Sequence, residues 1–379
     1  MITASSLLAI RVFYAAYFAA MGLILPYFPV FLADKGMEVA VIGVMTGLLA
    51  IAKVMSPPWV GHWADGLPPR QARYFILVAS LCSALAALAW LPLEQVWLLA
   101  LVVLVFGVLW AAILPLTDGL SIAVSEAQLA DYGRLRVWGS IGFVLASFAG
   151  GVWLADGRMH DFPWWLAGLM LVLALAAWFF PDWQEHEHTG KREQGAFSRS
   201  FLWLLAASFM MQVSHGAYYG FYSLYLVELG YPGWQIGGLW VLGVLAEIIL
   251  MWGWSKPFQQ AAPAMLISVC MLLAALRWLG IGLSESWYWL VLWQLLHAAS
   301  FAAFHLSAIT WVRKLAPKGR YAMAQGWYSA SGFGLGSTVG IMGCGVIAQQ
   351  AGFSMAFFVC AGIACAGSLM AWKLPRSAI

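Results

Sequence analysis

Residues 96–123 read VWLLALVVLVFGVLWAAILPLTDGLSIA, an apolar run whose one charged residue is Asp118. A helix that crosses the hydrocarbon core of a bilayer needs about 20 apolar residues, and this run is long enough. The rest of the chain has the same character, because 63% of its 379 residues are hydrophobic and only 9% are charged. A soluble domain carries about 25% charged residues. The composition therefore predicts a protein that exposes most of its surface to lipid.

Similar apolar runs recur along the whole chain, separated by turn signals such as Asp34-Lys35-Gly36 and Tyr231-Pro232-Gly233. Helices satisfy their backbone hydrogen bonds without water, so we predict an all-α membrane protein with about twelve transmembrane helices. The predicted spans are residues 7–33, 38–58, 72–92, 96–123, 136–156, 162–180, 200–227, 235–254, 263–283, 286–312, 322–348 and 352–373.

The basic residues are distributed unevenly between alternate loops, and this asymmetry sets the predicted orientation. Counted from a cytoplasmic N-terminus, the outer loops hold only Lys35 and Arg158. We therefore predict that both termini are cytoplasmic. The inner segments hold Arg70, Arg73, Arg134, Arg136, Lys191, Arg192, Arg199, Lys256, Arg313, Lys314, Lys318, Arg320, Lys373 and Arg376.

The longest polar stretch, residues 181–199, lies between the sixth and seventh predicted spans. It divides the chain into two predicted six-helix bundles, residues 1–180 and 200–379, joined by a cytoplasmic linker, as in transporters built from parallel repeats. The linker contains His186 and His188, which could bind a metal, but a solvated linker is the preferred interpretation. We predict no metal, no cofactor and no nucleic-acid partner, and a monomer.

Several motifs give the chain a resemblance to known transporters. Gly61-His-Trp-Ala-Asp65-Gly-Leu-Pro-Pro-Arg70 follows the second span and resembles the G-x-x-x-D-x-x-x-x-R loop of the major facilitator superfamily. The equivalent loop of the second half, Trp254-Ser-Lys256-Pro-Phe, departs from that pattern. Other stretches resemble the phenylpropionate permease family, which is related to proton symporters of the lactose permease type. They are Pro115-Leu-Thr-Asp118, Asp131-Tyr-Gly-Arg134-Leu-Arg136-Val-Trp-Gly-Ser140, His215-Gly-Ala-Tyr218-Tyr219-Gly-Phe, Gly243-Val-Leu-Ala-Glu247, Arg277-Trp278, Gln294-Leu-Leu-His297 and Phe304-His305-Leu.

The resemblance implies a major facilitator fold with two six-helix bundles around a central cavity. It also implies an importer of the plasma (inner) membrane that is coupled to protons, with aromatic acids as the substrate class. Four basic and acidic residues are predicted to serve in gating. Asp65 and Arg70 would form a conformational latch at the cytoplasmic face, and Arg134 or Arg136 would pair with Asp118. A structural ion pair is the alternative to a gating or proton role for Asp118.

Ionisable residues inside the spans are the first functional candidates, because a charge at the centre of a bilayer costs about 2.5–3.5 kcal/mol or more. Glu247 lies in the apolar run Val244-Leu-Ala-Glu247-Ile-Ile-Leu. Burial disfavours its ionised form, so it can take up a proton near neutral pH. Arg277, His297 or His305 could hold the ionised form. The predicted proton-coupling residues are Glu247, Asp118, His297 and His305.

Two stripes of polar and aromatic residues look like the walls of a binding cavity. Gln212, His215, Tyr219 and Tyr222 share one predicted face of the seventh span, and Gln294, His297, Phe301 and His305 share one face of the tenth. A satisfied hydrogen bond between helices is the alternative for each His. The predicted substrate-binding residues are Arg277, His215, Tyr218, Tyr219, Gln212, Gln294, Lys53 and Tyr14.

Small residues form smooth faces on two other spans. Gly332, Gly336 and Gly340 recur at every fourth position of the eleventh span, a spacing that lets helices pack closely. The fifth span carries Gly139, Gly142, Ser147 and Gly151, which predict a second close contact.

These observations predict proton-coupled uptake of a small organic solute, an aromatic carboxylate first. A sugar or nucleoside proton symporter is the alternative within the same class, and a drug-efflux antiporter is another. A non-transporting sensor or membrane enzyme is a third class. The sequence contains no H-E-x-x-H, P-loop or G-x-S-x-G motif, so we predict no enzyme.

Overall fold

A computed structural model describes residues 4–64, 69–126, 130–154, 157–181, 197–260, 262–317 and 320–375. Asp65 and nearly all of the predicted linker lie outside these residues. All regular structure in the described ranges is helical, as the sequence predicts. The α-helices are α1 (Ala4–Asp34), α2 (Val39–Ala64), α3 (Pro69–Ala89), α4 (Val96–Glu126), α5 (Tyr132–Trp153), α6 (Phe162–Trp178), α7 (Arg199–Ser214), α8 (Gly216–Glu228), α9 (Gly233–Gln260), α10 (Pro263–Leu283), α11 (Trp287–Leu295), α12 (Phe304–Leu315), α13 (Tyr321–Ser329), α14 (Ser337–Ala351) and α15 (Phe353–Ala371).

Two of the predicted spans contain π-helical segments. Ala298–Ala303 lies between α11 and α12, and Ala330–Gly336 lies between α13 and α14. The second segment is continuous with α13 and α14, and the first follows α11 after a turn at Leu296. Trp287–Leu315 and Met323–Ala351 each remain one apolar span. Isolated π-helical turns inside longer helices are frequent at functional sites.

Within the described ranges, 11 helices are long and apolar enough to cross a membrane. The predicted seventh span, residues 200–227, is divided into α7 and α8, which have 16 and 13 residues. The prediction of one continuous helix there is wrong, and the cause lies at His215.

The contacts between residues divide the chain into two units. The first consists of residues 1–35, 51–188 and 232–237, and the second of residues 36–50, 189–231 and 238–379. Each unit has its own buried core, which in the first includes Phe28, Trp90, Phe106 and Phe162.

In the first unit, the small residues of α5 pack against α1. A β-carbon at Gly142 would lie 2.0 Å from the carbonyl oxygen of Ala15, which leaves no room for any side chain. Ser147 Oγ donates a hydrogen bond to Gly22 O over 3.0 Å, and Tyr27 donates to Ser147 O over 2.6 Å. The predicted close contact of α5 is confirmed.

In the second unit, the glycine stripe packs against α7 and α8. A β-carbon at Gly340 would lie 2.4 Å from Val213 O, and one at Gly216 would lie 2.2 Å from the carbonyl carbon of Gly340. At Gly336 the nearest atom would be Phe209 O, at 2.8 Å. The predicted close packing of this stripe is therefore confirmed, even though part of it is π-helical.

Candidate functional site

The break between α7 and α8 is made by two side chains that bind one backbone carbonyl. The oxygen of Met211 accepts hydrogen bonds from Ser214 Oγ over 2.7 Å and from His215 Nδ1 over 2.8 Å. The backbone N–H of His215 turns instead to Gln212 O, three residues back. Because His215 Nδ1 donates, its Nε2 carries the lone pair. This atom is buried and has no partner in the described part of the chain.

The break separates the two ends of the polar stripe predicted for the seventh span. Gln212, before it, accepts a hydrogen bond from Ser337 Oγ on α14 over 3.3 Å. His215 stacks on Tyr219, with ring centroids 5.5 Å apart. Tyr218, outside the predicted stripe, provides the polar contact between α8 and α11.

Arg277 is the centre of a buried polar cluster in the second unit, with 0% of its surface exposed. Its Nη2 donates to Gln294 Oε1 over 2.8 Å, and its Nη1 lies 2.8 Å from His297 Nδ1 and 3.3 Å from Ser300 Oγ. Gln294 Nε2 then donates to the hydroxyl of Tyr218 over 2.6 Å. Four helical segments, α8, α10, α11 and the π-helical turn, therefore meet at one guanidinium.

Glu247 joins this cluster through His297 rather than through Arg277. Its Oε1 lies 2.6 Å from His297 Nε2. Among the three partners that the sequence leaves open for this carboxylate, the structure places His297 in contact with it. Glu247 is also the more accessible member of the pair, since its side chain is 15% exposed and that of His297 is 6% exposed.

The hydrogen bonds assign the protonation of His297. A guanidinium has only donors, so Nδ1 of His297 must accept from Arg277. The single ring proton is then on Nε2 and is donated to Glu247, an assignment that follows from the network. His297 is neutral in this arrangement. When Glu247 is ionised, its charge cancels that of Arg277 and the cluster has no net charge.

Aromatic rings surround the guanidinium. The central carbon of Arg277 lies 4.3 Å from the ring centroid of Tyr218 and 4.5 Å from that of Trp278, distances at which a cation is attracted to the ring face. The ring of His215 meets Trp278 edge-on at 4.9 Å. The cluster therefore combines one buried cation with several flat apolar surfaces.

Four buried polar atoms around this cluster have no hydrogen-bond partner in the described part of the chain. Such an atom costs about 1–3 kcal/mol when it is left unpaired. Two of the four, Arg277 Nε and Trp278 Nε1, are obligatory donors. A ligand with acceptor atoms would satisfy these two donors. The four atoms are Arg277 Nε, Trp278 Nε1, His215 Nε2 and Tyr222 Oη.

Gly243 holds α9 close to this cluster, one helical turn before Glu247. A β-carbon at Gly243 would lie 2.7 Å from Gln294 Nε2 and 3.1 Å from His297 Cδ2. Gln294 cannot move away without losing a hydrogen bond, because the oxygen and the nitrogen of its side-chain amide are both hydrogen-bonded. In the sequence Gly243 stands out only as part of the motif that contains Glu247, although its position four residues before Glu247 places both on one helical face.

We expect Gly243→Ala to push α9 outward and to lengthen the contact between Glu247 and His297. Proton-driven solute accumulation should fall several-fold, while solute exchange should persist. Gly238→Ala is the matched control, because a β-carbon at this other glycine of α9 meets nothing within 4 Å. Equal accumulation by the two variants, measured in proteoliposomes, would contradict this positioning role.

His305 lies apart from the Arg277 cluster. Its Nδ1 is 2.9 Å from the hydroxyl of Tyr328 on α13, and the residue is half-buried. The rings of His297, Phe301 and His305 form one stack, as predicted for a shared face of the tenth span.

A second polar cluster lies in the first unit, around Asp118. Its Oδ1 accepts from the hydroxyl of Tyr14 over 2.6 Å and from that of Tyr132 over 3.3 Å, and it lies 3.8 Å from Arg136 Nε. Arg136 also lies over the ring of Phe18 at 4.2 Å. Of the two predicted partners of Asp118, the structure places Arg136 beside it.

The remaining predicted site residues lie outside both clusters. Arg134 is exposed, and its backbone N–H donates to Asp131 Oδ1 at the start of α5. Lys53 is half-buried on α2 and belongs to the first unit, not to the unit of Arg277. Arg70 is exposed and lies 5.8 Å from the ring of Tyr74. Its predicted partner Asp65 is outside the described residues.

Comparison with known proteins gives a family model and several relatives. The model of the MFS_1 like family matches residues 7–359. The chain is 29% identical to a protein of Escherichia coli (strain K12) named "Probable 3-phenylpropionic acid transporter", over 79% of this chain and 80% of that protein. It is 26% identical to the maltose permease of Geobacillus stearothermophilus, over 86% of this chain and 83% of the permease.

Among solved structures, a crystal structure of a mutant of the nucleoside transporter NupG superposes with a TM-score of 0.87. The alignment covers 97% of this chain and 99% of the other, at 17% sequence identity. At this sequence identity, the structural similarity establishes the fold and not the function. It confirms the predicted arrangement of transmembrane helices.

Proposed function

Because the chain belongs to the MFS_1 like family, we propose that this multi-pass membrane protein takes up a small organic acid together with a proton. The recognition of the major facilitator superfamily and the prediction of a transporter are confirmed by the family model and by relatives that are themselves transporters. Proton coupling, the solute and the orientation belong to the proposal. The observation that carries it is the hydrogen-bonded series Glu247–His297–Arg277.

The proton is carried by Glu247. While Arg277 donates to His297 Nδ1, the imidazole cannot accept a second proton without losing that bond. The carboxylate of Glu247 is the remaining basic group of the series. Its protonation changes the charge of the cluster from zero to plus one. His297 then acts as the link between Glu247 and Arg277, and the further predicted roles of Asp118 and His305 in coupling stay proposals.

A cluster with one positive charge favours a solute with one negative charge. Arg277 Nε and Trp278 Nε1 offer two unsatisfied donors to a carboxylate, and Tyr218 and Trp278 offer flat surfaces to an aromatic ring. Binding of the acid and of the proton would leave the loaded carrier without net charge, which lowers the cost of its reorientation. Since Arg277 is fully buried here, its partners must move before a solute reaches it.

An aromatic carboxylate fits this chemistry best, and the relative described as a 3-phenylpropionic acid transporter agrees with it. A sugar or nucleoside is the second candidate. The carboxylate of Asp118, with Tyr14 and Arg136 around it, could bind hydroxyl groups of such a solute. The maltose permease among the relatives agrees with that reading.

The experiment that tests the solute class is competition for binding and transport. We expect 3-phenylpropionate to raise the melting temperature of the purified protein and to be transported, because a ligand of the folded state stabilises it. The corresponding amide has the same ring and chain without the charge, and it should do neither. An amide that binds as tightly as the acid, or a sugar or nucleoside that binds in its place, would overturn the carboxylate proposal.

The proposed setting is the inner membrane, with both termini in the cytoplasm and the protein acting as a monomer. The division into bundles 1–180 and 200–379, and gating by Asp65, Arg70, Arg134 and Arg136, are part of the same proposal.

We expect reporter fusions after Lys191 and at the C-terminus to read as cytoplasmic, because the basic segments stay inside. A periplasmic reading at either point would contradict the orientation.

A further inference from the structure

Three aromatic side chains form a stack that runs from His297, just before the π-helical segment, to His305 on α12. The ring of Phe301 lies parallel to both neighbours, 5.5 Å from the centroid of His297 at an angle of 21° and 5.9 Å from that of His305 at 8°. A phenyl ring therefore separates the two imidazoles of this span.

The two imidazoles belong to separate hydrogen-bonded groups. His297 binds Glu247 of α9 and Arg277 of α10, and it lies beside the rings of His215 and Tyr218. The titratable group that contacts His305 in the described part of the chain is Tyr328 of α13. A proton moves between such groups only along hydrogen bonds or water. Phenylalanine offers neither donor nor acceptor, so its ring interrupts the route.

The backbone around this ring is unusual on both sides. Phe301 belongs to the π-helical segment Ala298–Ala303, and Phe333 belongs to Ala330–Gly336. Their ring centroids are 6.0 Å apart, and Phe333 also contacts His305 at 5.6 Å. The second segment includes Gly332, Gly334 and Gly336, which give the backbone conformational freedom. Single π-helical turns inside longer helices are frequent at functional sites.

We propose that Phe301 is the insulator of the proton route, and that it separates the coupling group Glu247–His297 from a second proton station, His305–Tyr328. The inference rests on the proton coupling proposed above. His305 lies eight residues before Arg313 and nine before Lys314, at the basic end of α12, and these two residues are cytoplasmic in the proposed orientation. Both ring nitrogens of His297 are engaged, so the proton would pass from Glu247 to His305 through water that enters when Phe301 moves aside, and it would then leave toward the cytoplasm. The closed ring would prevent leak.

The test is a proton-leak assay without any solute. Proteoliposomes that contain an internal pH dye receive a potassium gradient and valinomycin, so that the membrane potential drives protons across any open route. Liposomes with the unsubstituted protein or with Phe301→Leu, which keeps an apolar side chain in place, should leak protons no faster than empty liposomes. Phe301→His inserts a third imidazole, and Phe301→Ala makes room for water, so both should leak several-fold faster.

The leak should also require the second station. Phe301→His combined with His305→Phe keeps three stacked rings but removes the exit group, and it should be tight again. A tight Phe301→His or Phe301→Ala variant would overturn the inference, as would a leak that persists in the double variant. Because no solute is present, this result is independent of solute-driven proton uptake by the unsubstituted protein, which tests the proposed function separately.

Discussion

Glu247→Gln is expected to retain solute exchange and to lose accumulation driven by a pH gradient. Glutamine has nearly the same volume as protonated glutamate, and its amide oxygen can accept from His297 Nε2, as the carboxylate does over 2.6 Å. The variant can neither bind nor release a proton at this position. Its loaded form can still reorient and exchange solute, but it cannot couple solute uptake to the pH gradient. Counterflow in proteoliposomes should approach that of the unsubstituted protein, and accumulation should fall to the level of empty liposomes.

Glu228→Gln is the control for this variant, because it removes a carboxylate from an exposed position at the end of α8. It should keep both activities. Accumulation by Glu247→Gln against a gradient would show that the proton travels through another group, with Asp118 the next candidate. Loss of both exchange and accumulation would assign Glu247 to solute binding or to structure instead.

Arg277→Leu is expected to abolish both activities and to destabilise the protein. The change removes the donor for Gln294, His297 and Ser300 and leaves Glu247 as a buried carboxylate without its countercharge. Breaking a buried ion pair in direct contact costs about 3–5 kcal/mol, and the cost here should be lower because His297 lies between the two charges. We expect a clearly lower melting temperature and no binding of 3-phenylpropionate.

The double variant Arg277→Leu with Glu247→Gln separates the two causes. It removes the unpaired charge, so the melting temperature should recover part of the loss, while solute binding stays absent. If the melting temperature of the double variant were as low as that of Arg277→Leu alone, the charges of Arg277 and Glu247 would not stabilise each other. If Arg277→Leu bound the acid normally, Arg277 would have no part in the binding site.

The membrane fold follows from features that are local in sequence. An apolar run such as residues 96–123 can satisfy its backbone only as a helix, so its structure depends little on its neighbours. Close packing of α5 and α14 is predictable for a similar reason, since a glycine such as Gly142 or Gly340 leaves space that only a neighbouring backbone can fill. The pairing of Asp118 with one of two nearby arginines was likewise within reach of the sequence.

The interruption of the seventh span was not predictable from periodicity. Residues 200–227 are apolar throughout, and a hydrophobic pattern does not reveal that Ser214 and His215 both bind the carbonyl of Met211. The same limit applies to the two π-helical segments. One extra residue in a helical turn leaves the composition of the span unchanged, although it shifts which side chains face the neighbouring helices.

The polar cluster shows what spacing can and cannot establish. The sequence indicates that Glu247, Arg277 and His297 are candidates for one site, because each is costly in an apolar span. It does not reveal that His297 stands between the two charged groups, nor that Gly243 brings α9 close enough for the contact. Both depend on the packing of α9 against α11, which is a property of the folded unit.

The central claim is that solute entry carries a proton, and proton movement during solute uptake tests it most directly. Proteoliposomes with an internal pH dye and no initial pH gradient would receive external 3-phenylpropionate. We predict that the lumen acidifies with the unsubstituted protein, stays unchanged with Glu247→Gln, and stays unchanged when the amide replaces the acid. Entry of labelled 3-phenylpropionate without acidification would contradict the account.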